Sequence, residues 1–336
     1  MMITGTLKSM ATRMTDARVF APVVRGLERN SRNKARLRVL AYHRIDDQRS
    51  GDLYYPGLIS TSPKQFADQI EFIANHYHVC SMNDVLAAAN GAGILPGDSV
   101  LLTFDDATVD FARHAWPVLQ SHGLPATLFV ATAYPDNPAM SFWWDKLYRA
   151  ILLSPDCTCI PTSTGSVTLS AAVQRQQLFR RLKEYFKTIP HSQFQQQLGG
   201  IVAAAAVADP PHNNVLSWEA LRRLDYEGVT LAPHTHTHPM LNQLSIDEIH
   251  EELTTSCSVL KTQIGHEISR TLAYPAGGVS DAVVSAMAAA GLSLGFTTQR
   301  GVNDQRFDNP CRLRRINVGA KTTLGLLRLQ LANWGN

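Results

Sequence analysis

The strongest constraint on the fold is a rhythm that begins at residue 38, where short apolar runs start to alternate with stretches of helical periodicity. The runs "RVLAYHRI" (38–45), "SVLLTFDD" (99–106), "ATLFVATA" (126–133), "VTLAPHT" (229–235), "TLAYPAG" (271–277), "SLGFTTQ" (293–299) and "RLRRINV" (312–318) have the length and composition of strands, with "HVCSM" (78–82) as a weaker eighth. Between them lie amphipathic segments with start and stop signals: Ser62 and Pro63 open "SPKQFADQIEFIANH", and Gly123, Gly228 and Gly291 close three others. Strands alternating with helices are the pattern of βα units and a parallel sheet. Seven or eight such units in one chain favour a barrel over an open sheet.

The rhythm breaks between about 138 and 215. "FWWDKLYRAILL" is a good amphipathic helix, followed by a Ser/Thr-rich stretch and then a Gln-rich helical one. With no second core-sized set of strands, this reads as an insertion between barrel strands and not a separate domain. Insertions at strand carboxyl ends shape substrate entry. The chain thus divides into a basic leader (1–35), partly disordered or helical, a barrel (36–320) carrying the insertion, and a C-terminal helix or tail (321–336).

A length of 336 residues and 45% hydrophobic content are ample for a large core. The net charge of +3 gives no argument for nucleic acid as a partner. The leader is the exception in charge: basic residues from Lys8 to Arg38 far outnumber Asp16 and Glu28, so peripheral contact with an anionic membrane surface is one expectation and a solvated segment the other. The five cysteines have no framework spacing, which fits a reducing compartment, and no secretory signal or membrane-length apolar run is visible. The expected location is cytoplasmic, with any membrane association through the leader.

In a parallel barrel the functional residues stand at the carboxyl ends of strands. Those ends carry His43, then Asp105 and Asp106, then the histidines of "APHTHTHPML", then "YPAGG". Two adjacent carboxylates after an apolar run are unfavourable if simply buried, so they face water, cap the next helix or meet a cation. Pro239 disfavours helix at His238; in an extended segment His234, His236 and His238 would share one face, and spacing alone does not choose among them. Histidines and aspartates converging from separate strand ends suit a divalent cation, and two imidazoles with one carboxylate leave positions open, the catalytic pattern.

"LLTFDD", "HTHTHP" and "LAYPAGG", in this order, resemble the motifs of the polysaccharide deacetylases, the NodB-homology carbohydrate esterases, and the flanks "HAWPVLQSHGLPATLFV" and "SWEALRRLDYEGVTLAPHTHTHP" are similar too. The resemblance spans roughly 36–318 and implies an α/β fold, a distorted (β/α) barrel of about seven parallel strands with an inserted helical segment. It implies hydrolysis of an N-acetyl group on an amino sugar, with Asp106, His234 and His238 as metal ligands, Asp105 as general base and the backbone N–H of Ala276 as oxyanion donor. Tyr274 and Pro275 of the same turn are expected substrate contacts; the paired Trp143 and Trp144 are a candidate sugar-stacking platform, although at helix spacing core packing is the favoured reading. Zinc suits the ligands, with nickel and cobalt as alternatives. No histidine follows His266, so the acid that protonates the leaving amine is missing from its usual place near the C-terminus. "LAYHRI" resembles the first strand of the circularly permuted, poly-N-acetylglucosamine deacetylase-like branch, and His43 fills that role.

Three departures stand out. Ala107 replaces a usual glycine, which matters only if φ is positive there. Ala273 replaces an arginine that pairs with the base in many members, leaving Arg44, Arg314 or Arg315 to substitute, and Ala276 replaces an aromatic. A deformylase, a hydrolase of non-sugar amides and a catalytically silent glycan-binding barrel are the alternative readings.

Overall fold

A computed structural model describes residues 35–47, 53–205, 207, 210 and 213–332. The leader, but for its last residue, lies outside them, and with it the membrane-contact expectation. The strands are β1 (Arg36–Tyr42), β2 (Arg44–Ile45), β3 (Ile59–Thr61), β4 (His78–Val79), β5 (Ser99–Phe104), β6 (Thr127–Val130), β7 (Cys159–Thr162), β8 (Gly165–Thr168), β9 (Thr230–Pro233), β10 (Thr271–Ala273), β11 (Leu294–Arg300), β12 (Asn303–Asp304) and β13 (Leu313–Asn317).

Seven of them form a parallel barrel wall in the order β10-β11-β13-β1-β5-β6-β9, with β4 added to β5 and β12 running antiparallel on β1. The registers Leu40↔Leu102, Leu40↔Ile316 and Val130↔Pro233 keep the strand ends level, so every carboxyl end opens on one rim. β9 and β10 complete no ladder, and the barrel stays open at that seam. No described helix is long and apolar enough to cross a membrane.

β5 and β6, in the middle of the wall, are buried along their whole length because both faces are covered. Leu37, Val39, Leu101, Phe129, Ala232 and Phe296 pack together in one cluster. Leu40, Tyr42, Leu102, Phe104 and Leu128 pack in another with Phe66, Ile70 and Ile73 of the helix Pro63–His76. Each such side chain contributes roughly 1.5–3 kcal/mol by leaving water. That helix starts where its sequence says: Ser62 accepts the Gln65 N–H and Pro63 occupies the first turn. The helix Asp281–Ala289 stops before Gly291, whose φ of 78° an L side chain would resist.

Two expectations are corrected. The run 38–45 is not one strand: β1 ends at Tyr42, and the His43 N–H leaves the ladder to bind Ser60 Oγ at 2.8 Å, while β2 pairs with β3. The insertion is not purely helical. β7 and β8 form an antiparallel hairpin, and Ile160 of β7 joins Leu147, Phe179, Leu182, Phe186 and Phe194 in a small core of the insertion's own. The hairpin was hard to read because its strands are short, carry Pro161 and expose most side chains.

Candidate active site and metal centre

Because the strands are parallel, the ends of β1, β5, β9 and β10 bring His43, Asp105, Asp106, His234, His238 and Ala276 to one cleft of about 170 Å³. The chain turns abruptly after β5. Asp106 and Ala107 both have left-handed φ, 71° and 49°, and the two neighbouring carboxylates go to different partners. The condition under which Ala107 matters is therefore met: a left-handed L-residue costs about 1–2 kcal/mol. Thr235, His238 and Ala276 are left-handed as well (φ 67°, 63° and 52°), so backbone strain gathers at this rim, as it does at functional sites.

The same left-handed residues resolve the histidine run, which is not extended. His234 and His238 turn toward each other, ring centroids 4.7 Å apart, whereas His236 is drawn off to Thr132, with Nδ1 2.9 Å from Oγ1. Glu252 anchors the loop by accepting the N–H groups of His236 and Thr237 at 2.8 and 2.9 Å. The His234 Nδ1–H donates to the Ala273 carbonyl at 2.7 Å, which fixes the tautomer and leaves Nε2 as the ligating atom.

Asp106, His234 and His238 are all buried, and their ligating atoms lie within 4.8 Å of one another. Asp106 Oδ1 stands 3.5 Å from His234 Nε2 and 3.4 Å from His238 Nε2, yet it has no hydrogen-bond partner. A buried carboxylate oxygen without a partner is costly unless a cation satisfies it. Bonds of ~2.1 Å in a tetrahedral set place ligand atoms ~3.4 Å apart. The donor chemistry and the spacing both fit a divalent metal ion.

Asp105 faces the other way, into a bidentate pair with Arg315: Nη1 and Nη2 each lie 2.8 Å from a carboxylate oxygen, and both residues are buried. Arg315 also donates to the Thr297 carbonyl, so its fork is held in place. Of the three arginines considered for the place left by Ala273, Arg315 alone pairs with Asp105; Arg44 is tied to Asp46 and Asp110. Burial by itself would raise the Asp105 carboxyl, but the Arg315 guanidinium, with His234 and His43 behind it, outweighs burial and holds the group below its ordinary value. His43 Nε2 stands 3.8 Å from Asp105 Oδ2, and its side chain is 25% exposed, so it reaches both the base and the cleft.

Ala276 lies in the turn Pro275–Gly277, whose own hydrogen bonds use the N–H groups of Gly277 and Gly278 and not that of Ala276. Of the two expected substrate contacts in this turn, Tyr274 lines the cleft and Pro275 does not. The Tyr274 hydroxyl is spent on the Cys311 carbonyl at 2.7 Å and on Met287 Sδ, neither of which lines the cleft, and Pro275 is buried outside it. Trp143 and Trp144 do line the cleft but also pack. Trp144 stacks on Phe142 and sets its edge against His238, and Trp143 meets Phe186 and Phe194 of the insertion. Tyr55, Lys183 and Lys187, also in the wall, had no motif to announce them.

The family model described as polysaccharide deacetylase matches residues 92–295, a span that holds Asp105, Asp106, His234 and His238 and leaves out His43 and Arg315. A poly-beta-1,6-N-acetyl-D-glucosamine N-deacetylase of Escherichia coli is 29% identical over 100 residues, 30% of this chain and only 14% of that protein's length. Among solved structures, the Streptococcus pyogenes deacetylase PplD aligns with a TM-score of 0.59 at 20% identity, covering 89% of this chain and 99% of that one. IcaB from Ammonifex degensii aligns at 0.57 and 17% identity, over 89% and 97%. At such identities these likenesses show a shared barrel, and with more than half of its length matched by the family model, the chain belongs to the polysaccharide deacetylase family.

Proposed function

We propose that this protein removes the N-acetyl group from an amino sugar in a glycan or sugar conjugate by metal-assisted hydrolysis. The observation that carries the reading is one cleft holding a buried Asp–His–His group with an orphaned oxygen, beside a second carboxylate ionised by its own arginine. The name of the similar Escherichia coli protein supports an N-acetylated hexosamine as the substrate unit. A divalent cation on Asp106, His234 and His238, which we assign as zinc with nickel and cobalt as alternatives, supplies Lewis acidity toward a water and the amide carbonyl.

The chain's own residues do the rest. Asp105, kept anionic by Arg315, takes the proton of the attacking water. The Ala276 N–H donates to the oxyanion of the tetrahedral intermediate, a role that survives loss of the aromatic side chain because it belongs to the backbone. His43 gives a proton to the amine nitrogen as the C–N bond breaks, and acetate and a free amine leave. A silent barrel is disfavoured because base, ligands and acid are all present in one cleft. Acetate release from N-acetylated hexosamine oligomers, abolished by a chelator and restored by zinc, tests the reading. Asp105→Asn should keep the metal and lower kcat at least ~10²-fold; full activity in that variant would refute the role of Asp105, and no acetate from any N-acetyl sugar would refute the function.

A further inference from the structure

The mouth of the cleft carries positive charge that hydrolysis of an amide does not require. Lys183 and Lys187 come from the end of the insertion helix Ala172–Phe186 and line the same cleft as Asp105, Asp106 and His43. The Lys183 side chain is only 24% exposed. Its ammonium sits 5.2 Å from the centre of the Tyr55 ring and donates to Tyr55 Oη at 3.3 Å, while Glu184 is 3.9 Å away, beyond hydrogen-bond reach. An ammonium has three donors, so two remain for a ligand. Lys187 adds a second charge, shared with Glu184.

Glu184, outside the cleft wall, balances one of the two charges, and among the described residues of the wall itself no further carboxylate is free to balance the other, since Asp105 belongs to Arg315 and Asp106 to the metal group. On the far side of the His236–His238 loop the sign reverses: Glu248, Glu251 and Glu252 line a separate recess with His191. An anion attached to the sugar is drawn toward the lysines and repelled from the glutamates. Attraction on one side and repulsion on the other is how charge confers specificity.

We infer that the substrate is an N-acetyl amino sugar bearing an adjacent oxyanion, a phosphoryl ester or a uronate carboxylate, which Lys183 and Lys187 bind at the cleft mouth. This deepens the deacetylase reading and rests on it.

The test measures acetate release by the zinc-loaded full chain on N-acetylglucosamine 1-phosphate, on a disaccharide of N-acetylglucosamine and glucuronate, and on neutral methyl N-acetylglucosaminide. At least one anionic substrate should have a kcat/KM about tenfold above the neutral one, narrowing with added salt, and which one does so distinguishes phosphoryl from carboxylate recognition. Lys183→Gln and Lys187→Gln should raise KM for that substrate at least tenfold more than for the neutral sugar, with kcat little changed, and Lys183→Arg should restore most of the loss. Equal kcat/KM for charged and neutral sugars, or equal losses on both in the lysine variants, would overturn the inference. If the wild type releases acetate from none of the three, quenching of tryptophan fluorescence by the sugar phosphate decides separately: quenching lost in Lys183→Gln upholds the anion subsite while the deacetylase reading fails, and quenching unaltered in that variant, or absent from the wild type, rejects the subsite.

Discussion

Arg315→Met separates the ionic role of this arginine from its packing. In the native protein both oxygens of Asp105 are engaged by Arg315 at 2.8 Å, and neither residue is more than 2% exposed. Removing one partner of a buried pair costs ~3–5 kcal/mol, because the other is left as an uncompensated charge. Against a total stability of ~5–15 kcal/mol the variant stays folded at moderate temperature. The sign of the pH dependence follows from the carboxyl. In the native fold its pKa lies below the unfolded value of ~3.9, so the pair's stabilisation is complete above that value and is lost as pH falls through the folded pKa. Without Arg315, burial is opposed only by the histidines and by the cation the neighbouring ligands would hold, the carboxyl titrates at a higher pH, and protonation relieves the unpaired charge. Urea unfolding from pH 8 to pH 4 should therefore show the gap between wild type and variant narrowing as pH falls. The acid limb of kcat should move to higher pH by at least one unit, so that activity lost at neutrality partly returns in alkali. A gap independent of pH, with an unmoved acid limb, would show that Arg315 only fills space.

His43→Ala should keep its metal and lose ~10²–10⁴-fold in kcat on the amide but far less on an activated ester, whose leaving group needs no proton; equal losses on the two would make His43 a positioning residue. Elemental analysis should find metal lost from His234→Ala, His238→Ala and Asp106→Ala and kept by His236→Ala, whose ring is bound to Thr132; the reverse order for His236 and His238 would refute the ligand set. Tyr274→Phe should leave KM unchanged and cost about 1–3 kcal/mol in stability, since it orphans the Cys311 carbonyl; a raised KM at unchanged stability would show that the hydroxyl, and not only the ring in the cleft wall, meets the substrate.

The barrel was legible because the strands of its wall show as apolar runs and the helix Pro63–His76 opens on its Ser62 cap, whereas the helices Trp143–Tyr148 and Ala172–Phe186 have no capping side chain. The metal group was legible as residue types at strand ends, though not which histidine would be left out, since that depends on left-handed backbone at Thr235 and His238 that no local signal in "HTHTHP" discloses. The partner of Asp105 could be narrowed to three arginines and no further. Which of them faces the rim depends on the register of β13 against β11, where the ladder is irregular between Phe296 and Arg300. The lysines of the insertion were out of reach, because a charged helix face reads as solvated until the fold shows that it stands over a cleft.

The hydrogen bond from His234 to the Ala273 carbonyl joins β9 to β10, the neighbours between which the barrel has no ladder. The ring that would grip the cation with one nitrogen thus staples the wall shut with the other. Loading the site would then be linked to the integrity of this seam. A cation on Nε2 would make the Nδ1 proton a stronger donor, and a seam that parted would tilt the ring away from Asp106 and weaken the hold of the three ligands. Amide exchange in β9 and β10 should slow when the metal is added, while the strands on the far side of the barrel, already laddered on both edges, should hardly respond.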